Sequence, residues 1–254
     1  MMPLSKNKIK YIRSLEQKKV RKEEGVFLAE GPKLVGDLLG HFHCRFLTGT
    51  SSWLKANSLI SADEVVEVTQ EELSRASLLK TPQQVLAVFE QPKYTLNREL
   101  VREKLCLALD DIQDPGNLGT IIRLADWFGI EHIICSLNTV DAYNPKTIQA
   151  TMGGIARVKV HYTSLSEFIH SLDNVPVFGT FLDGKNIYKE TLSTNGLIIM
   201  GNEGNGISKE VEYLVNRKLY IPSYPQERET SESLNVAIAT AVVCAEFRRQ
   251  VAWK

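Results

Sequence analysis

The sequence predicts an α/β protein of two domains, the second built on a mostly parallel sheet. Three observations carry that prediction. Short uninterrupted apolar runs, Leu105-Cys106-Leu107-Ala108-Leu109 and Leu197-Ile198-Ile199-Met200, suit strands covered on both faces of a parallel sheet. Between such runs lie segments with apolar residues at helical spacing, so strand and helix alternate. A polar stretch with a proline, residues 91–103, separates this alternating part from a smaller unit before it. The domains read as residues 1–92, a linker 93–103, and residues 104–254.

In the first domain Ile9, Ile12 and Leu15 share one helical face. Residues 26–29 are a short strand ending near Gly31-Pro32, and residues 33–39 resume a helical pattern. Residues 46–48 and 65–68 are strands rich in β-branched or aromatic residues, and residues 85–89 are the last strand. Thr69 and Glu72 have the spacing of a capping box at a helix start. In the second domain strands are expected at 105–109, 133–135, 177–180, 197–200 and 219–221. Helices are expected over 117–128 and 164–172, after Ser208 and after Ser233. The last helix has one polar residue, Thr240, between Val236 and Ala245. A helix apolar all round has to be covered all round, inside its domain or at a dimer interface.

The 254 residues carry 30 Lys+Arg against 30 Asp+Glu, and a net charge of zero does not mark a nucleic-acid binder. The distribution says more. Lys6, Lys8, Lys10, Arg13, Lys18, Lys19, Arg21 and Lys22 stand against Glu16 alone in the first 22 residues. That run is a candidate phosphate-contacting surface, or equally a solvated helix face. No apolar run approaches the ~20 residues that span a membrane. The lysine-rich N-terminus lacks the apolar core of a signal peptide, so a cytoplasmic protein is expected. The four cysteines form no C-x-x-C pair and read as buried thiols. His41-Phe42-His43-Cys44 has no second ligand cluster elsewhere, so no metal is expected.

Three separated segments place glycine or proline where a strand should end and a polar residue just beyond. They are Asp114-Pro115-Gly116-Asn117-Leu118-Gly119-Thr120-Ile121-Ile122-Arg123, Met200-Gly201-Asn202-Glu203-Gly204-Asn205-Gly206-Ile207-Ser208, and Ile221-Pro222 followed by Ser233-Leu234-Asn235-Val236-Ala237. Ligands of open α/β sheets bind at strand C-termini, so the three ends predict one polar site. The spacing is not Gly-x-Gly-x-x-Gly, which argues against a dinucleotide fold. Asn117 sits where a helix N-cap would, and Ser233 is expected to cap the last helix. Asn235 is left for a substrate contact.

These three segments, in this order, resemble the signature motifs of the SpoU/TrmH family of RNA ribose 2′-O-methyltransferases. Asp141-Ala142-Tyr143-Asn144-Pro145-Lys146 and Thr151-Met152-Gly153-Gly154 also look like family sequence. The resemblance implies an α/β-knot (trefoil-knot) catalytic domain, S-adenosylmethionine as methyl donor, an RNA substrate and a homodimer. The first domain is similar to the small α/β substrate-binding domain of many members, which favours ribosomal over transfer RNA. By the same likeness Arg123, Asn117, Glu203, Ser233 and Asn235 are the expected catalytic set. Arg123 is the family's general base or a cationic clamp, and Glu203 helps to fix it, a buried Glu–Arg pair being a plausible device. Thr180, Gly201, Ile221 and Leu234 are expected to line the donor site. Loop 223–232 is longer than in relatives and lacks glycine. The alternatives are a tRNA ribose methyltransferase or a non-catalytic RNA-binding or ribosome assembly factor on the same fold.

Overall fold

The computed structural model describes residues 4–225 and 233–252. Residues up to 93 together with 141–156 form one compact unit, and residues 94–140 with those from 157 onward form another.

The first unit runs α1 (Lys6–Ser14), α2 (Lys18–Glu24), β1 (Val26–Glu30), α3 (Pro32–Leu38), β2 (Cys44–Thr50), α4 (Ser51–Ala56), β3 (Val65–Val68), α5 (Gln70–Ala76) and β4 (Val85–Glu90). Its sheet order is β1-β4-β2-β3. β4 is antiparallel to both neighbours and β2 is parallel to β3. Gly25 closes α2 in the left-handed conformation, φ 64°, and turns the chain directly into β1. The expected capping box forms: Thr69 and Glu72 satisfy each other's main-chain N–H. Ile12 near the end of α1 and its C-cap Leu15 pack with Leu28, Phe46, Leu73 and Val88 in a core buried from water.

The segment 141–156 belongs to this unit although it follows the expected linker. It carries α8 (Pro145–Thr151), which packs on β1. The Tyr143 ring lies 5.1 Å from that of Phe27. Gly153 has φ 88°, and a Cβ there would stand 2.7 Å from the Asp37 carboxylate. Neither α8 nor the strand after it had a periodic signal strong enough to be expected.

The second unit runs α6 (Glu99–Glu103), β5 (Leu105–Leu109), α7 (Pro115–Trp127), β6 (His132–Ser136), β7 (Lys159–Thr163), α9 (Leu165–His170), β8 (Val177–Asn186), β9 (Gly196–Met200), α10 (Lys209–Glu212), β10 (Arg217–Tyr220) and α11 (Val236–Ala252). The region read as linker thus contains a helix, whose Val101 is fully buried in the core. The six strands lie in the order β10-β8-β9-β5-β6-β7, all parallel. Every residue of β5 and β9 is buried, as strands covered on both faces require. From β5 the chain moves one way to β6 and β7, while β9, β8 and β10 lie on the other side. The order therefore reverses between β5 and β9, and a crevice at that point is where such sheets bind ligands.

Helix α11 buries one face in its own domain. Val236, Ala237, Thr240, Val243, Cys244 and Phe247 face the core, with Phe247 edge-on to Phe178 at 4.9 Å. Thr240 meets its polar need within the helix, donating to the Val236 carbonyl. The opposite side is not covered: Ile238 is 55% exposed and Ala241 and Ala245 are half-buried. One chain buries one stripe of this helix only. Among the described residues no helix is long and apolar enough to cross a membrane.

Candidate active site

The reversal between β5 and β9 brings the three motifs together. After β9 the chain makes a tight loop, closed by paired main-chain bonds between Asn202 and Gly206. A Cβ on Gly201 would lie 2.3 Å from main-chain atoms of Gly206 and Ile207, so only glycine fits. At the far end of the loop the Ser208 N–H donates to the buried Asp110 carboxylate, just beyond β5 (2.8 Å). Ser208 precedes α10, but its side chain makes no capping bond.

From this loop Glu203 reaches α7. Asn117 Nδ2 donates to Glu203 Oε1 at 2.8 Å. Asn117 Oδ1 accepts from Asn235 Nδ2 at 3.1 Å. Asn235 Oδ1 in turn accepts the N–H groups of Ala237 (2.9 Å) and Ile238 (3.3 Å) at the start of α11. The helix N–H groups demand an acceptor, so Asn235 must turn its oxygen to them and its NH₂ to Asn117. Asn117 must then offer oxygen to Asn235 and NH₂ to Glu203. Both amides are locked by chemistry in one orientation. The second N–H of each amide and Oε2 of Glu203 have no partner among the described residues.

Two capping roles differ from expectation. Asp114, not Asn117, is the N-cap of α7; it accepts from the Asn117 N–H, and Pro115 takes the first helical position. Asn235, not Ser233, caps α11, while Ser233 is exposed. Asn235 therefore does have a capping role, and it makes that role the end of the Glu203–Asn117 link.

Arg123 lies on α7 six residues past Asn117, about 9 Å further along the axis. The helix buries Leu118, Ile121, Ile122 and Ala125, and exposes Thr120, Arg123 and Trp127, the last 83% exposed. The Arg123 guanidinium has no hydrogen bond or ion pair among the described residues. The buried Glu203–Arg123 pair expected from the sequence is absent. Glu203 is exposed and its partner is Asn117.

Thr180, Gly201 and Ile221 follow regular pairings of three neighbouring strands, β8, β9 and β10. The β8–β10 register jumps from Gly179↔Lys218 to Lys185↔Leu219, so residues 180–184 loop out. Ile221 consequently follows the level of Asn186, further along than Thr180. Leu234 is half exposed before α11. A cavity of about 240 Å³ at this jog is lined by Phe178, Gly184, Glu190 and Leu219 among others, and by none of the four expected donor residues. Loop 223–232 falls largely at 226–232, outside the described residues.

In the first unit the basic run is divided in its duties. Arg21 is 1% exposed; it ion-pairs with Asp141 at 2.5 Å and donates to the carbonyls of Leu15 and Glu16. It is a structural arginine and is withdrawn from the phosphate-contacting set. Arg13 donates to the Ser77 and Arg75 carbonyls, and Lys8 pairs with Glu64 at 2.6 Å. Lys6, Lys10, Lys18 and Lys22 are exposed, and Lys19 lies 3.9 Å from Glu23. The cysteines are buried thiols; burial raises Cys44 to about 11 and Cys106 and Cys244 to about 12. His43, from the segment considered for metal, faces Asp63. Among the described residues no group of three His, Cys, Asp or Glu could hold a metal ion.

The model of the SpoU rRNA Methylase family matches residues 104–245, the stretch holding all three motifs. The chain belongs to the SpoU rRNA methylase family. Residues 6–87 match the MRM3-like substrate binding domain. A family relative, the 23S rRNA (guanosine(2553)-2′-O)-methyltransferase of Bacillus subtilis, is 31% identical over 95% of this chain and 96% of its own. Among solved structures, a Porphyromonas gingivalis protein described as an RNA methyltransferase of the TrmH family superposes with a TM-score of 0.87. It is 41% identical over 98% of this chain and all of its own. The AdoMet-bound rRNA methyltransferase of Sinorhizobium meliloti gives 0.85, with 32% identity over 99% and 97%.

Proposed function

We propose that this chain methylates a ribose 2′-hydroxyl in structured RNA, ribosomal rather than transfer RNA, with S-adenosylmethionine as donor. The observation that carries the reading is the Glu203–Asn117–Asn235 chain of hydrogen bonds, which draws one residue from each motif to the strand-end crevice. Family membership and the ribosomal substrates named for the Bacillus and Sinorhizobium relatives support it.

S-adenosylmethionine would supply an activated methyl group for in-line displacement. Main-chain groups at Thr180 within β8, at Gly201 after β9 and at Ile221 after β10, with the half-exposed Leu234, would hold the adenosyl moiety. The chain's own residues then have three tasks. The free N–H groups of Asn117 and Asn235 orient the ribose. Glu203 accepts from Asn117 and anchors the end of the chain whose amide orientations the α11 N–H groups set. The Arg123 guanidinium clamps the neighbouring phosphate and stabilises the alkoxide as the ribose hydroxyl gives its proton to solvent and its oxygen takes the methyl group. Ser233, exposed beside this cluster, is left as a substrate contact.

The same reading assigns residues 1–92 to RNA binding and 104–254 to catalysis, with the C-terminus threaded as a knot, in a cytoplasmic protein. It also makes the active form a homodimer. The uncovered stripe of α11 and the exposed Trp127 on α7 give an apolar surface for a second copy. Light scattering should find twice the 28.5 kDa chain mass; a stable, active monomer would exclude the dimer. Calorimetric titration of metal-free protein with S-adenosylmethionine, with and without RNA, tests the function itself. Saturable binding is expected, and none under either condition would overturn it.

A further inference from the structure

Glu203 stands on a loop whose positions 203–206 are all exposed, yet it must keep its carboxylate at one point to hold Asn117. A single side chain supplies that constraint. Asn202 Oδ1 accepts the main-chain N–H groups of Gly204 (2.8 Å) and Asn205 (3.0 Å), which curls the loop around it. Its Nδ2 donates in the opposite direction to the Asp111 carbonyl at 2.7 Å. Its own N–H and C=O close the loop against Gly206. Asn202 thus bolts the glycine loop to the end of β5, the strand that feeds α7 and Asn117.

The anchor is itself specified. Asp111 adopts φ 60°, a left-handed conformation uncommon outside glycine. Its N–H donates to Ser136 Oγ at 2.9 Å, and its carboxylate accepts from Gln113 Nε2. A backbone held away from its easy minimum persists only where the surroundings over-determine it, and such residues gather at functional sites. Here the left-handed turn aims the Asp111 carbonyl at Asn202.

We propose that Asn202, braced on the Asp111 carbonyl, is a positioning residue for the transfer reaction, acting through Glu203. It touches neither of the Asn117–Asn235 amides itself. Its effect is to fix where Glu203 stands and so where the Asn117 end of the chain is held. The inference rests on the methyltransferase reading above.

The test is a double-mutant cycle on the full-length protein, with kcat, the KM for RNA, S-adenosylmethionine affinity and Tm measured for each form. Asn202→Ala should lower kcat by about 10- to 100-fold, the scale at which small misplacements act, with donor affinity within about twofold of the parent. In a Glu203→Ala background the same substitution should cost less than about threefold more, because the residue it serves is gone. Asn202→Asp is nearly isosteric and keeps the two loop N–H bonds, but sets a carboxylate against the Asp111 carbonyl. It should also lose about 10-fold in kcat, and it serves as the test if the alanine form does not fold. Additive losses in the cycle would overturn the proposal, as would donor affinity falling in step with kcat or Asn202→Asp running at the parent rate. Failure of the methyltransferase reading would look different: the unmodified protein would neither bind donor nor transfer methyl.

Discussion

Replacing Asn117 by aspartate breaks one link of the Glu203–Asn117–Asn235 chain and keeps the other. The new carboxylate still accepts from Asn235, but faces the Glu203 carboxylate 2.8 Å away. Two unit charges at that distance repel by about 1.5 kcal/mol in water and about 6 kcal/mol at an effective dielectric of 20. Glu203 is exposed and Asn117 half-buried, so the lower figure governs. That is enough to swing Glu203 away and too little to unfold the protein. At about 2–4 °C per kcal/mol for a chain of this size, Tm should drop by a few degrees. Turnover should fall about 100-fold, because the lost orientation bears on the transition state. Asn117→Ala, which loses both links, should be at least as slow and at least as stable. The assay is transfer of labelled methyl to RNA under saturating donor, beside a thermal melt. Parent-like turnover of Asn117→Asp would refute the claim that this chain of bonds sets the active geometry.

Arg123→Ala should cost on the order of 100-fold or more in turnover with donor binding intact, as calorimetry and rate assays would show; normal methylation would remove Arg123 from the site. Arg21→Ala should destabilise the first unit by about 3 kcal/mol, since it strands Asp141 and two carbonyls. Its RNA affinity should keep the parent salt slope in binding titrations; native stability, or a flatter slope, would contradict the structural role. His132 and His161 stack in the β6–β7 pair with ring nitrogens 3.1 Å apart. Burial, then His132 and then Lys159, lower His161 from 6.5 to about 4, with Tyr94 against its ring. Burial and Lys159 also lower His132, opposed by Glu131. The fold favours neutral rings, so this stability is present above pH 6.5 and is lost as pH falls from 6.5 toward 4. Allowing for partial solvent access, roughly 1–2 kcal/mol should go. Urea unfolding at pH 7.5 and 4.5 should show less loss in His161→Phe than in the parent; an equal loss would sink this account.

The elements that sequence could reveal were those with strong apolar patterning. β5 and β9 are continuous buried runs whose bounds the apolar pattern marks to within a residue, as β-branched content does for β3. The site was legible as three strand ends and a set of polar residues, but the connections were not. Asp114 could have been read as the α7 cap, because Pro115 after it marks the first helical position. Ser233 and Asn235 are both good caps, and only the main-chain path at residues 233–238 decides between them. The fate of Arg21 depended on Asp141, 120 positions away, a distance over which charge runs carry no information. The importance of Asn202 hinged on the left-handed Asp111, which no residue type announces in advance.

The central claim is that the Asn117, Glu203 and Asn235 cluster serves methyl transfer to ribose. The most direct measurement incubates the protein with methyl-labelled S-adenosylmethionine and unmodified ribosomal RNA, digests the RNA to nucleosides, and locates the label by mass spectrometry. The account predicts one labelled 2′-O-methylnucleoside, lost in Asn117→Asp. Label on a base, or no label despite demonstrated donor binding, would contradict it.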